Sequence, residues 1–113
     1  VLLVQKFGGT SLATLKHIQR AAQCVAQHKA QGHHMVVVVS AMAGTTNQLA
    51  TWVKESTLTP TLAGEATDVV LASGEQITCG LFALALQQLG FKAKPWLGWQ
   101  VPIVTDVQHG HAV

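Results

Sequence analysis

Six consecutive residues near the start of the chain combine a cation, two glycines and two hydroxyl groups, in the order Lys6, Phe7, Gly8, Gly9, Thr10 and Ser11. Glycines let a phosphate approach the backbone, and the first N–H groups of a helix have no partner within it. Lys6 adds a positive charge beside them. The order is not that of the Walker A motif, in which Lys follows the glycines. The segment predicts an anion-binding turn, and a plain strand-to-helix turn with a surface lysine is an equally good interpretation.

A second segment of small residues, 40–47, follows an apolar run and is rich in hydroxyl groups. It offers neutral donors to a phosphate or a carboxylate from Ser40, Thr45, Thr46 and Asn47. The alternative, slightly favoured by the residues alone, is that Thr46 or Asn47 caps the helix that follows.

Glu75 is the remaining candidate, since it follows Gly74 at a predicted helix start. A carboxylate there could hold the ammonium group of a substrate. The alternative is structural, because the helix dipole favours an acid in the first helical turn whether or not anything binds.

The elements that would position these residues alternate between strand and helix. Residues 1–7 are short, β-branched and apolar, as in a strand. An apolar stripe at helical spacing then follows the hydroxyl groups of Thr10 and Ser11, which we expect to cap the helix: Leu12, Leu15, Ile18, Ala22 and Val25. Residues 35–39 predict a strand buried on both faces. A crossover of this kind favours a parallel sheet, so the segments that follow the two strands should lie side by side.

The rest of the chain predicts further helices and strands, and the whole indicates an α/β fold with a mostly parallel sheet flanked by helices. Its predicted elements are a short helix over 48–55, a loop around residues 59–60, a helix from residue 64 that breaks near 73–74 and resumes over 75–89, and edge strands over 91–97 and 101–105. The part over 75–89 is apolar nearly all round, as in a helix buried on several sides. Cys24 and Cys79 fall in predicted helices as buried free thiols.

Composition bounds the class of protein. With 113 residues, 49% hydrophobic, the chain is long enough for one domain, and a net charge of +2 with no basic stripe argues against nucleic acid. The charged fraction of 11% is well below the about 25% of an ordinary soluble domain. We therefore expect other protein to cover part of the surface, and interpret the chain as a piece of a longer protein.

Membrane and secretory segments are not predicted. The longest apolar runs, 35–39 and 81–86, are far shorter than the roughly 20 residues that cross a bilayer. The N-terminus lacks the features of a secretory signal, so the cytoplasm is the expected location.

The sequence gives little support for a metal site or for a hydrolase. His33 and His34 are adjacent, and His109 and His111 alternate, so neither pair has the spacing of a helical zinc site. We predict no metal site and see no nucleophile elbow. The three tryptophans are expected in the core or an interface: Trp52, Trp96 and Trp99.

Three segments, 6–11, 38–47 and 73–76, stand in an order and at a spacing that resemble the amino-terminal part of the aspartate kinases of the amino-acid kinase family. The resemblance continues through residues 98–100 and 105–106, although Trp99 and Pro102 depart from the usual pattern. It implies an incomplete sheet-and-helix fold like that of carbamate kinase. Residues 1–113 would be the amino-terminal part of the kinase domain, without the nucleotide half and the ACT-type regulatory modules.

The resemblance also implies a reaction: transfer of the γ-phosphoryl group of ATP, with Mg²⁺ carried by the nucleotide, to the side-chain carboxylate of L-aspartate. This is the entry step to lysine, threonine and methionine synthesis, catalysed by homodimers or larger assemblies. Lys6, the implied catalytic residue, would hold the phosphoryl group with Phe7, Gly8, Gly9, Thr10 and Ser40. The residues implied on the acceptor side are Gly44, Thr45, Thr46, Asn47 and Glu75. A carboxylate acceptor is ionised at neutral pH and needs no general base.

Two other functions stay open. One is a kinase for another small acid, such as glutamate or acetylglutamate, and the other is a non-catalytic α/β module that binds anions. Transfer requires both substrates to be aligned, so we expect little or no turnover from these 113 residues alone.

Overall fold

A computed structural model describes residues 1–57, 64–101 and 104. Strand and helix alternate in the first part of the chain and helices follow. The elements are β1 (Leu2–Phe7), a 3-10 turn (Gly9–Leu12), α1 (Leu15–Ala30), β2 (His34–Val39), α2 (Thr45–Ser56), α3 (Gly64–Gln88) and a second 3-10 turn (Gly98–Gln100).

The two strands pair in parallel, with Leu2 opposite His34 and Phe7 opposite Val39. Helix α1 forms the crossover between them. The predicted α/β class with a parallel sheet is therefore confirmed, and in the described part of the chain that sheet has two strands. Because the strands end in register, the segments after Phe7 and Val39 leave the sheet at the same edge.

The core lies between one face of this sheet and helices α1 and α3. Its buried cluster is Leu12, Ile18, Ala21, Ala22, Val25 and Phe82. The ring of Phe7 packs against that of Phe82, with centroids 5.5 Å apart. The predicted stripe of α1 is thus buried except for Leu15, which is 56% exposed.

The other face of the sheet is open, contrary to the prediction that the second strand is buried on both faces. Val4 on β1 is 64% exposed, and Val36 and Val38 on β2 are each 46% exposed. The prediction was wrong because it assumed that helices cover both apolar faces of β2. In the described structure, helices pack against only one face of the sheet. This exposed apolar surface fits the low charge of the chain.

Helix α3 runs without a break from Gly64 to Gln88, so the predicted interruption near residues 73–74 is wrong. The local polar groups are satisfied inside the helix: Ser73 Oγ donates to the Val70 carbonyl at 2.6 Å, and Thr78 Oγ1 donates to the Gly74 carbonyl at 3.2 Å. Burial of Gly74 against its neighbours stabilises the helix where glycine alone would weaken it. The helix is also less buried than predicted, with Ile77 at 56% and Leu84 at 61% exposure.

As one continuous element, α3 is long and apolar enough to cross a membrane by length and composition. The prediction of no span considered only uninterrupted apolar runs. Core helices of soluble proteins meet the same criterion. Of its apolar window, 22% is buried in the described structure, where Thr78 and Phe82 are 0% and 3% exposed.

The end of the described chain departs from the predictions. Residues 91–97 form no strand, and the predicted strand over 101–105 and loop around 59–60 fall largely outside the described residues. The three tryptophans were predicted in the core or an interface; their exposure excludes the core, and the interface stays a prediction: Trp52 is exposed by 53%, Trp96 by 54% and Trp99 by 74%. Cys24 and Cys79 are free thiols in helices, as predicted, and are half-buried.

Thr14 caps helix α1, where the sequence had indicated Thr10 or Ser11. Its backbone is extended, and its hydroxyl oxygen accepts from the His17 N–H at 3.3 Å. The same oxygen is hydrogen-bonded to His17 Nδ1 at 2.7 Å. The prediction failed because complete burial of Leu12 favours a 3-10 turn over residues 9–12, which delays the start of the helix.

We expect Thr14→Ala to lower the free energy of unfolding by about 1 kcal/mol, the usual value of an N-cap hydroxyl. Thr10→Ala is the matched control, because Thr10 is exposed and within the 3-10 turn. Urea unfolding followed by circular dichroism measures both. Equal losses in the two variants would contradict the assignment of the cap.

Candidate active site

Two loops meet at the carboxyl edge of the sheet. The glycine loop, residues 8–12, follows β1, and the alanine loop, residues 40–44, follows β2. The Ser40 N–H donates to the Phe7 carbonyl at 3.3 Å and so extends the strand pairing by one residue. A methyl group added at Gly9 would lie 3.4 Å from the Ala41 carbonyl oxygen. The predicted adjacency of the two segments is therefore confirmed.

Helix α3 contacts the alanine loop at Gly74. A methyl group added there would lie 2.9 Å from Ala41 Cβ, 3.3 Å from Thr45 Cγ2 and 3.4 Å from Leu49 Cδ1. Ala41 is only 4% exposed. The three segments that had been singled out in the sequence thus meet at one small residue, Ala41, whose role was not predicted. A signal was present at Gly74, a glycine within the polar segment 73–76, but Ala41 is one of several small residues in its own segment.

Lys6 and Phe7 point to opposite faces of the sheet, as successive strand residues do. Lys6 is exposed on the open face, opposite Val38 in the register. Phe7 is on the covered face, with its ring in the core against Phe82. The Phe7 side chain therefore cannot contact a phosphate, and only the backbone of Phe7 could bind a ligand.

The glycine loop begins in extended backbone at Gly8, with φ −87° and ψ 173°, and then forms its 3-10 turn. The Ser11 N–H donates to the Gly8 carbonyl at 3.1 Å. The expectation that an α-helix starts directly after the glycines is wrong, since α1 begins at Leu15. Open space surrounds Gly8, and Thr10 is exposed.

Helix α2 does start directly behind its loop. Gly44 is its N-cap residue, with φ +83°, so the prediction that Thr46 or Asn47 is the cap is wrong. Thr46 and Asn47 are instead exposed in the first turn. The first N–H groups of a helix and its dipole favour an anion. The helix terminus suited to an anion therefore lies at the alanine loop and not at the glycine loop.

Ser40 and Thr45 are half-buried at the two ends of the alanine loop. Ser40 Oγ donates to the Ala41 carbonyl at 3.1 Å, and the Thr45 N–H donates to the Met42 carbonyl at 3.0 Å. These bonds hold the loop in shape around Ala41.

Glu75 is exposed in the interior of α3, beside Gly74 in the chain. The acid in the first turn of α3 is Glu65. The alternative explanation of Glu75, that the dipole of a helix start favours it, is therefore wrong, because no helix starts there.

Metal ligands do not gather in the part of the chain that the structure describes. No group of three or more His, Cys, Asp or Glu residues there could hold an ion. His109 and His111, the alternating pair of the sequence, lie outside the described residues.

The chain matches the model of the amino acid kinase family over residues 1–111. It is 46% identical over 113 residues to the aspartokinase of Rickettsia felis, covering 99% of this chain and 28% of that protein. It is 43% identical over 111 residues to aspartokinase 2 of Bacillus subtilis, covering 98% of this chain and 27% of that protein. The chain thus spans little more than a quarter of the length of these relatives.

Solved structures show the same fold. Aspartate kinase from Synechocystis is 39% identical, with a TM-score of 0.74 over 79% of this chain and 15% of that chain. Aspartokinase III of E. coli, in complex with aspartate and ADP, is 22% identical, with a TM-score of 0.65 over 83% of this chain and 30% of that chain.

We expect Gly44→Ala to lower the free energy of unfolding by about 1–2 kcal/mol, because an L side chain is strained at the positive φ of this residue. Gly44→Asn should cost less, since asparagine tolerates this conformation better. Space is not the cause, as no atom lies within 4 Å of an added methyl. Thermal unfolding of the two variants measures the difference, and a larger loss for Asn would refute this explanation.

Proposed function

Since the chain belongs to the amino acid kinase family, we propose that it is the amino-terminal part of an aspartate kinase, with residues 1–113 in the kinase domain. The proposal is supported by 43–46% identity to two aspartokinases over nearly the whole chain. The observation that carries it is the meeting of the glycine loop, the alanine loop and α3 at Ala41. Those are the segments in which the resemblance to aspartate kinases resides.

The proposed reaction transfers the γ-phosphoryl group of ATP to a side-chain carboxylate oxygen of L-aspartate. An oxygen–phosphorus bond forms to the carboxylate, the bond between the γ-phosphorus and the β–γ bridging oxygen breaks, and ADP leaves with that electron pair. The product is 4-phospho-L-aspartate, the entry compound for lysine, threonine and methionine synthesis. Transfer of this kind depends mainly on positioning and on stabilisation of charge.

The phosphoryl side of the proposed site is formed by β1 and the glycine loop. The ammonium group of Lys6 would neutralise charge on the transferring group, and the backbone of Gly8 and Gly9 would let it approach closely. Thr10 and Ser40 supply hydroxyl groups near the ends of the two strands, and Phe7 contributes through its backbone. The exposure of Lys6 and the open space at Gly8 are consistent with access for a triphosphate.

The acceptor side is formed by the alanine loop, the start of α2 and Glu75. The N–H groups of Thr46 and Asn47, with the side chains of Thr45, Thr46 and Asn47, would hold a carboxylate of aspartate behind Gly44, since the Thr45 N–H already donates to Met42. Glu75 would bind its ammonium group. Its exposure leaves the carboxylate accessible to such a ligand.

The remaining functions of an aspartate kinase would come from parts of the protein other than these residues. We place there the nucleotide half of the kinase domain and the ACT-type regulatory modules. The described residues form no metal site of their own, and Mg²⁺ would enter on the phosphates of the nucleotide. The rest of the domain would cover the apolar part of the open face of the sheet and leave Lys6, at the carboxyl end of β1, accessible. We further propose a cytoplasmic protein that forms homodimers or larger assemblies.

The proposed reaction is tested by trapping the acyl phosphate with hydroxylamine. The longest gene product that contains this chain is incubated with Mg-ATP and, separately, L-aspartate, L-glutamate and N-acetylglutamate. We expect the hydroxamate from aspartate alone. Hydroxamate from another acid would contradict the assignment of Glu75, and none from any acid would leave anion binding without catalysis as the better account.

The role of Lys6 is tested with Lys6→Ala. Loss of one charged donor to the transferring group should lower kcat by about 10²–10³ and leave the KM for aspartate nearly unchanged. Lys29→Ala is the matched control, because Lys29 is an exposed lysine in the last turn of α1. Steady-state kinetics of ADP release gives both constants. A Lys6→Ala variant that matched the control would exclude Lys6 from the reaction.

A further inference from the structure

Helix α3 approaches the alanine loop more closely at Gly74 than a side chain would allow. We propose that Gly74 is a positioning residue: the lack of a side chain there sets the distance between Glu75 and the start of α2, and so the affinity for the amino-acid substrate. The inference rests on the proposed function and adds to it a residue outside the implied binding set.

The contact leaves no room for a methyl group. A methyl at Gly74 would lie 2.9 Å from Ala41 Cβ, well inside the about 3.5–4.0 Å at which carbon atoms pack. The same methyl group would also lie 3.3 Å from Thr45 Cγ2 and 3.4 Å from Leu49 Cδ1. Either α3 or the alanine loop would have to move by roughly 0.5 Å or more to admit it.

The atoms around Gly74 cannot easily give way. Ala41 is 4% exposed. The glycine loop packs against its backbone, since a methyl group added at Gly9 would lie 3.4 Å from the Ala41 carbonyl oxygen. Leu49 is 8% exposed in α2. A larger residue at Gly74 would therefore displace α3, together with Glu75, rather than a single flexible side chain.

A displacement of α3 would change the acceptor side of the proposed site. Glu75 is the next residue of α3, and Thr45 is the first residue of α2, so their separation changes directly when α3 retreats. Lys6 lies on β1, which pairs with β2 through the strand register. Sites need their groups within about 0.5 Å of the productive geometry, and a misplacement of about 1 Å can cost about 10²-fold. We therefore expect the affinity for the amino acid to fall while that for the nucleotide stays.

Helix α3 supplies a matched control at Gly80. Both glycines are within the helix, so alanine raises helix propensity at each. No atom lies within 4 Å of a methyl added at Gly80. The two variants therefore share the effect on the helix and differ in the contact.

The test is steady-state kinetics of the longest gene product containing this chain, as wild type, Gly74→Ala, Gly80→Ala and the double variant Ala41→Gly/Gly74→Ala. Gly74→Ala should raise the KM for aspartate by about tenfold or more, with the KM for ATP within about twofold. Gly80→Ala should resemble the wild type. The double variant removes the atom at 2.9 Å and should recover most of the affinity for aspartate.

The outcomes separate the two proposals. A wild-type protein that phosphorylates no amino acid overturns the proposed function and this inference with it. An active wild type whose Gly74→Ala and Gly80→Ala variants have equal KM values for aspartate overturns the inference alone, as does a raised KM that Ala41→Gly does not rescue. Should Gly74→Ala fail to fold, a double variant that folds with near-normal aspartate KM supports the contact. A double variant that fails to fold, or folds with a raised KM, overturns it.

Discussion

The close packing of Ala41 between Gly9 and Gly74 is the constraint on which the candidate site depends. Each contact is between small residues, with an added methyl at 3.4 Å on one side and 2.9 Å on the other. Backbones can approach this closely only where side chains are absent or minimal. Three segments far apart in sequence are thereby held against one another at the carboxyl edge of the sheet. The geometry of the site is therefore a consequence of residue size at positions that carry no reactive group.

The parallel pairing of β1 and β2 brings the first two segments together, but it cannot stabilise the domain by itself. Only one face of the sheet is covered by described helices, with Phe7 and Phe82 at its centre. Val4, Val36 and Val38 remain exposed on the other face. Apolar strand residues on both faces are typical of sheets covered by helices on both sides. The low charge of the chain and its open apolar sheet face thus agree with each other, and both support the proposal that the rest of the domain covers this surface.

The sequence allowed the main elements to be predicted, but not the contacts that place them. The strands, the crossover helix and the adjacency of the two loops follow from β-branched runs and helical spacing, which are local signals. The cap at Thr14 was missed because burial of Leu12 overrides the hydroxyl groups of Thr10 and Ser11. The break at Gly74 was predicted from the intrinsic weakness of glycine in a helix, whereas tertiary packing against Ala41 makes glycine the residue that fits. The end of the chain from residue 105 onward lies outside the described residues.

Because α3 is continuous, Glu75 is not at a helix start, and the explanation of its charge changes. It lies in the helix interior and is exposed to solvent, so the dipole of a helix start, which acts within the first turn, does not explain it. The residue before it, Gly74, packs against Ala41 of the alanine loop. In the proposed site the two sides are held by different elements: β1 and its glycine loop would serve the phosphoryl group, and α2 with α3 would serve the acceptor. They are joined through Ala41, so a change in the packing of α3 would alter the acceptor side while the strand pairing that holds Lys6 is kept.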